Sequence, residues 1–257
     1  MSLETINLIK DRNIAVIKLN RPDLLNAVNE QLVWDFQNAT ESVKDDSTIK
    51  VVIIAGEGRG FCAGADLSER KASWKGSKDA LIRGYKPFFE NIVNMPKPVI
   101  GSISGPAAGI GAAIAMSCDL RIMSEDSYIL SVFSNIALVP DGGLSWYLPK
   151  YMGYSKAYEY AIEAKKITAE ECLKYGIANK VVSSDKLESK TLEWAKKLAK
   201  RSSQSLEHTK KLMRESLALS YWDTFHNEAE IQNELTVSPQ NKEAVKAFFE
   251  KREPNFD

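Results

Sequence analysis

PVIGSISGPAAGIGAAIAMSC, residues 98 to 118, carries no charged side chain. An uncharged run of this length is enough to cross a bilayer as a helix. Gly105-x-x-x-Gly109 is also the small-residue spacing of packed membrane helices. Against one continuous helix stand Pro106, four glycines and three serines. The chain offers no second candidate span. The run reads instead as a buried strand (KPVIGSI), a glycine turn and a buried helix (GIGAAIAMSC), and this makes the chain α/β rather than membrane-spanning.

The flanking segments agree with that reading. TINLIKD and IAVIKLN alternate like two strands of a hairpin joined at Asp11-Arg12-Asn13. NEQLVWDFQNATESVKDD has helical spacing, with Leu32, Phe36 and Val43 on one face. IKVVIIAGEG is a continuous β-branched run, the pattern of a strand buried on both faces. A helix is expected from about Ser68 to Met95, and DLRIMSEDSYIL supplies two more short strands. From about residue 183 only amphipathic helices remain, in SLEHTKKLMRESLALS, YWDTFHNEAEIQNELT and NKEAVKAFFEKREP. Their apolar faces need a partner, either the core or a neighbouring subunit.

Composition narrows the function. At 257 residues the chain fits one large domain or a domain with a small appendage. A formal net charge of zero gives no electrostatic footprint for nucleic acid or an anionic membrane. Cys62, Cys118 and Cys172 lie far apart and read as buried thiols in a reducing compartment. With only His208 and His226, both in the late helical region, neither a Ser-His-Asp triad nor a His-based zinc site is favoured, and no metal is expected. The N-terminus lacks a signal-peptide core, so a cytoplasmic location is expected.

Three glycine turns could carry chemistry. Gly109-x-Gly111-x-x-Ile114 is an imperfect relative of the dinucleotide fingerprint, with Glu125 or Asp126 near the distance of a ribose-binding acid. The same turn could instead offer free N–H groups to another anion. GRGFCAGADLSER, residues 58 to 70, is a second turn of that kind, and a donor from each would make an oxyanion hole. Tight packing of small residues explains both turns equally well. LVPDGGLSWYLP is the third, where Asp141 reads locally as a solvated turn residue.

Taken together, LNRPDLLNAVN, FCAGADL, KPVIGSISGPAAGIGAAIAMSCDLRI, LVPDGGLSWYLP and AFFEKREPNF resemble the crotonase (enoyl-CoA hydratase/isomerase) superfamily, in order and nearly end to end. The resemblance implies a ClpP-like spiral of ββα units with a C-terminal helical trimerisation region. The division it suggests is a core at 1–190 and a helical oligomerisation region at 191–257, assembled as homotrimers or homohexamers. It implies an acyl-CoA thioester as substrate, with coenzyme A part of that substrate and no separate cofactor. The backbone N–H groups of Ala65 and Ile110 would form the oxyanion hole, each donor worth on the order of 3 kcal/mol in the transition state.

The departures from the family pattern are as informative. Hydratases of this family use two glutamates around one water, and the matching positions here are Ala113 and Phe133. Neither can move a proton. LVPDGGLSWYLP is similar to the branch containing the ring-epoxide isomerase of phenylacetate degradation and to Δ3,Δ2-enoyl-CoA isomerases, in which one carboxylate shuttles a proton. On that likeness Asp141 is the acid/base, lined by Phe133, Leu144 and Trp146, in surroundings that raise its pKa. Leu24, Leu25 and Ala27, with Ala63, Ala65, Asp66 and Leu67, match positions that cradle pantetheine and adenine. Phe248 and Lys251 match a late-helix pair near the nucleotide. Asp66 reads as a helix N-cap and Asp119 as a buried structural acid. The pocket's side wall is expected within residues 69–90. The rivals are a hydratase with acids not yet identified, a non-catalytic acyl-CoA-binding protein, and an NAD-binding protein.

Overall fold

The computed structural model describes residues 3–69 and 72–256. The expected hairpin pairs β1 (Ile6–Asp11) with β2 (Ile14–Leu19). Helix α1 (Glu30–Lys44) begins at Asn29, whose side-chain oxygen accepts from the Leu32 amide, and it buries Leu32, Phe36 and Val43. After β3 (Val51–Gly56) come α2 (Ser77–Asp79), a π-helical turn (Ala80–Tyr85) and α3 (Lys86–Asn94) as one continuous rod. The uncharged stretch gives β4 (Val99–Ile103), β5 (Pro106–Ala108) and α4 (Ile110–Ser117). The core continues through β6 (Leu120–Ser124), β7 (Tyr128–Leu130), α5 (Leu144–Met152) and α6 (Tyr154–Ile162). It closes with β8 (Lys166–Thr168), α7 (Ala169–Lys174) and β9 (Lys180–Val182). Four helices follow: α8 (Leu187–Ala199), α9 (Ser203–Glu215), α10 (Tyr221–Thr236) and α11 (Pro239–Glu250).

The strands form two sheets. The larger runs β1-β2-β3-β4-β6-β9, parallel except for the first pair, and the smaller runs β5-β7-β8. The chain thus places β4 in one sheet and β5 in the other, then returns through α4, and β6 and β7 repeat the step. This is the spiral of ββα units that the family resemblance implies. Both faces of the large sheet are covered, and the period of two in the strands sorts their side chains. Val52 and Ile54 join Ala15, Ile17 and residues of α1, α3 and α4. Val51 and Ile53 join Ile14, Ile100, Ile122 and Leu187, Ala195 and Ala199 of α8. Each such buried aliphatic side chain contributes roughly 1.5–3 kcal/mol. Because α8 covers one face of the sheet, a division at 190/191 falls inside a helix that packs with the core.

Helix α4 explains why its sequence mimics a membrane span. All eight of its residues are buried, and its one polar side chain, Ser117, turns its hydroxyl back to donate to the Ile114 carbonyl. Its C-terminal carbonyls are met by the buried Arg121, which donates to the carbonyls of Cys118, Met116 and Ile177 and to the Tyr151 hydroxyl. Among the described residues no helix is long and apolar enough to cross a membrane.

Two expectations about this region are corrected. The stretch from Ser68 to Met95 is not helical throughout, because the helix starts only at Ser77. Residues 72–76 are an irregular strap tied down from outside: Glu30 accepts from the Ser73 amide, Trp74 lies 5.3 Å from Trp34, and Gly76 sits at φ 124°. Arg70 and Lys71, inside the same expectation, lie outside the described residues. The glycine turn of the uncharged stretch also contains a strand, β5, paired in parallel with β7.

Asp119 is structural, as its place in the sequence suggested. Its carboxylate accepts from the Val99 amide at 2.9 Å and pairs with Lys210 at 2.8 Å and Arg214 at 2.6 Å, which fastens α9 to the core. Lys210 also donates to the Ile92 carbonyl. Asp119→Ala orphans a buried amide and two half-buried cations, so it should cost about 2–3 kcal/mol. A urea midpoint lowered at unchanged slope is the expected readout, and a loss under about 0.5 kcal/mol would reduce these pairs to surface decoration.

Candidate active site

Two glycine turns from different parts of the chain are held back to back. The segment after β3 runs alongside β5: the Phe61 amide donates to the Ser104 carbonyl at 2.7 Å, Cys62 to Pro106 at 3.0 Å, and Ala108 to Cys62 at 2.9 Å. Gly64 and Gly109 then face each other at close range. A Cβ at Gly64 would stand 3.1 Å from the Ala108 carbonyl oxygen, and one at Gly109 would stand 3.6 Å from the Gly64 Cα. Both have positive φ, 107° at Gly64 and 53° at Gly109, which side-chain-bearing residues resist. The residues that follow them, Ala65 and Ile110, are therefore brought side by side.

The amides of those two residues are the ones left over. Ala65 bridges to Val28 in parallel, and the bonds of that bridge are made by its neighbours: the Val28 amide donates to Gly64 and the Asp66 amide to Val28. The Ala65 N–H is thereby turned away from Val28. Ile110 opens α4, where the first N–H groups have no intrahelical acceptor. Neither N–H donates to any acceptor among the described residues. Two free, adjacent amides, one at a helix N-terminus, suit an oxyanion.

Asp141 belongs to a turn packed on the start of the same helix α4. A Cβ at the next residue, Gly142, would meet the Ala113 Cβ at 2.5 Å, Ile110 Cδ1 at 2.9 Å and Phe89 Cζ at 3.1 Å. The Asp-Gly-Gly turn is thus pressed onto the first turns of α4. The same contact explains why position 113 carries only a methyl group, since a longer side chain would occupy the space the turn fills. The Asp141 carboxyl is half-buried, and its Oδ1 is enclosed without a hydrogen-bond partner. Burial alone pushes its pKa up to about 6. A solvated turn aspartate would show none of this.

The other site residues fall into three groups. Phe133 and Leu144 are buried at the two turns: the Phe133 ring comes to 3.9 Å of a Cβ built at Gly109, and the Leu144 amide donates to the Asp141 carbonyl at 3.1 Å. Leu24, Leu25, Ala27, Ala63, Asp66 and Leu67 lie together in two loops joined by the Ala63 amide, which donates to the Leu25 carbonyl at 2.9 Å. Leu24 and Leu67 are exposed there. Asp66 caps no helix, contrary to expectation. It accepts from the Ser68 amide and hydroxyl and pairs with Arg21 at 2.9 Å, and the Ser68 hydroxyl, then Arg21, hold its pKa below the usual carboxylate range.

Trp146, Phe248 and Lys251 are placed elsewhere. Trp146 is 46% exposed and faces a groove between α5 and α9 with Lys150, Leu206 and Met213, not the space around Asp141. Helix α5 turns Leu144 and Leu148 inward and Trp146 outward. Phe248 is 77% exposed on α11. The chain after Lys251 is tethered to Lys50, at the start of β3, through the Phe256 carbonyl, whereas the glycine loops follow the far end of β3.

Sequence reasoning passed over two residues here. Asn26 is fully buried, accepts from the Arg21 amide and donates to the Glu57 and Gly60 carbonyls, locking the first loop to the second. Its signal was available, since a polar residue between Leu25 and Ala27 must find partners. Phe89, within the stretch 69–90 where the side wall was expected, reaches the Asp141–Gly142 turn, with its Cζ 3.1 Å from a Cβ built at Gly142. The dinucleotide reading loses its basis: the space over Gly111 is filled by the Cys62 backbone and side chain, and Asp126 is held by Ser184. Among the described residues no group of three or more His, Cys, Asp or Glu is placed to hold a metal.

Comparison with known proteins places the chain among relatives of one kind. A family model described as enoyl-CoA hydratase/isomerase matches residues 10–257. A probable enoyl-CoA hydratase of Rhodobacter capsulatus is 32% identical over 256 residues, covering 100% of this chain and 99% of that protein. The 1,2-epoxyphenylacetyl-CoA isomerase of Escherichia coli is 30% identical over 250 residues, covering 96% and 95%. The crystal structure of a putative enoyl-CoA hydratase/isomerase from Mycobacterium abscessus superposes with a TM-score of 0.93 at 26% identity, covering 98% and 99%.

Proposed function

From the premise that the chain belongs to the enoyl-CoA hydratase/isomerase family, we propose that it is an acyl-CoA isomerase with one acid/base, Asp141. The amides of Ala65 and Ile110 polarise the thioester carbonyl and stabilise the enolate formed when a proton leaves the acyl group. Asp141 takes that proton and returns it to another carbon, shifting a double bond or assisting rearrangement of a ring epoxide. The enclosed, unpartnered Oδ1 of Asp141, in the turn that packs on Ile110, carries this reading. A base near pKa 6 is ionised at neutral pH and still returns the proton readily.

Hydration would need a second proton-moving group to handle water. The two positions where the family's hydratases keep glutamates hold Ala113, against the Gly142 backbone, and the buried Phe133. Phe133 and Leu144 give the acyl group an apolar lining, and the loops around Leu24–Ala27 and Ala63–Leu67 receive the coenzyme A portion. No cofactor beyond that portion is required. Exposed Trp222, Phe225, Phe248 and Phe249 on α10 and α11 support a homotrimer or homohexamer.

A panel of 3-enoyl, 2-enoyl and aryl-acetyl CoA esters tests the proposal. Double-bond migration without appreciable hydration is expected, and fast water addition to a 2-enoyl ester would sink it. The rate should fall on the acid side with an apparent pKa of about 6, because the base works only when ionised.

A further inference from the structure

The mechanism above gives Arg21 no task, yet its guanidinium grips both sides of the bridge that carries the Ala65 amide. Nη1 donates to the Ala27 carbonyl, and Nη2 donates to the Asp66 carboxylate at 2.9 Å. Ala27 precedes Val28 and Asp66 follows Ala65, the two residues of that bridge. The backbone of Arg21 closes the same loop: its amide donates to Asn26 Oδ1 at 2.8 Å, and its carbonyl accepts from the Asn26 amide at 2.9 Å. Leu25 and Asn26 both have positive φ, 49° and 57°, conformations that persist where surrounding contacts hold them. The side chains of Arg21 and Asp66 are only 17% and 10% exposed, so their pairing is weakly screened. The direction of the Ala65 N–H follows from the bridge. Across a trans peptide the carbonyl of one residue and the N–H of the next point opposite ways. The Gly64 carbonyl accepts from the Val28 amide at 2.7 Å, and the Asp66 amide donates to the Val28 carbonyl at 2.9 Å. Any slip between the two segments therefore rotates the Gly64–Ala65 peptide and re-aims its donor.

We propose that Arg21 is a positioning residue, which through its joint hold on Ala27 and Asp66 keeps the Ala65 N–H aimed at the thioester oxygen. This rests on reading the Ala65 and Ile110 amides as the oxyanion hole. Arginine suits the task because its planar fork meets two acceptors at once, whereas the single ammonium of a lysine does not reproduce that geometry. Asp66 then serves the same end, since its carboxylate is spent on Arg21 and on the Ser68 amide and hydroxyl.

Two coenzyme A ligands test this on the full-length protein: a 3-ketoacyl thioester, and a thioether of the same length that lacks the thioester carbonyl. The 3-ketoacyl thioester gives up its C2 proton to the buffer and becomes an enolate, whose ultraviolet absorption reports how far the two amides favour it. Binding to the native protein should raise the enolate fraction at fixed pH. Arg21→Met should lower the bound enolate-to-keto ratio about tenfold and change the affinity for the thioether less than about twofold. Arg21→Lys and Asp66→Asn, milder changes that carry the test if Arg21→Met does not fold, should lower the ratio in the same direction. Arg21→Met combined with Asp66→Asn should lose little more than either alone, because the two side chains act as one pair. An unchanged ratio in these variants overturns the role of Arg21 and leaves the oxyanion hole standing. So does a ratio that holds while both ligands bind more weakly, which would make Arg21 a support of the coenzyme A loops alone. A native protein that binds the thioester without favouring its enolate overturns the oxyanion-hole reading and the role of Arg21 with it.

Discussion

Asp141→Asn is expected to lower isomerase turnover by about a thousandfold while changing the affinity for the acyl-CoA ester less than about threefold. The replacement keeps the shape of the side chain and removes only its ability to accept and return a proton. The two positions where the family's hydratases keep glutamates, Ala113 and Phe133, cannot take over. The loss should therefore appear in kcat rather than KM. A second readout separates this from damage to the fold. The folded-state pKa of about 6 lies above the 3.8 of an exposed aspartate, so the folded protein favours the protonated form. The stability this gives is complete below about pH 4 and is lost as pH rises through 6. Asparagine escapes that penalty, so the variant should melt above the native protein at pH 8 and level with it at pH 4. Full turnover in the variant would refute the role assigned to Asp141.

The fold was legible wherever burial imposes a period. IKVVIIAGEG could only be a strand covered on both faces, and Leu32, Phe36 and Val43 could only share one side of a helix. Strand β5 was hidden because Pro106-Ala107-Ala108 has no strand propensity of its own, and it exists through pairing with Cys62 and β7. The helix expected at Ser68 failed for the converse reason. Local pattern there permitted a helix, but Glu30 and Trp34, from a distant part of the chain, hold the strap irregular. The site divides in the same way. The glycines announced two turns, yet nothing in their spacing says that Gly64 and Gly109 touch. Nor does spacing reveal that Gly142 rests on Ala113, the contact that brings the Asp141 turn onto the start of α4. Trp146 illustrates the limit of proximity in sequence, since five residues along from the acid the helix has already turned it to another groove.

Gly109→Ala should reduce kcat/KM by about a hundredfold to a thousandfold, the second large effect, and for a reason unrelated to space. The nearest atoms to an added methyl group are Val132 Cγ1 at 3.4 Å and Gly64 Cα at 3.6 Å, which is ordinary contact. The backbone is the obstacle: φ 53° with ψ −125° is open to glycine and closed to alanine. Relief requires rotating the peptide between residues 109 and 110, and that peptide carries the Ile110 N–H. The donor would swing away from the Ala65 N–H, and a thioester oxygen could no longer meet both. Strain of this kind also costs about 1–3 kcal/mol of stability, so the activity loss needs a matched control. Gly153→Ala provides it, because Gly153 sits at φ 75° and ψ 157° at the start of α6, with nothing within 4 Å. It should lose stability to a similar degree and keep its turnover. If the two variants lost activity alike, the effect would follow strain in general, and the Ile110 amide would have no special part in holding the oxyanion.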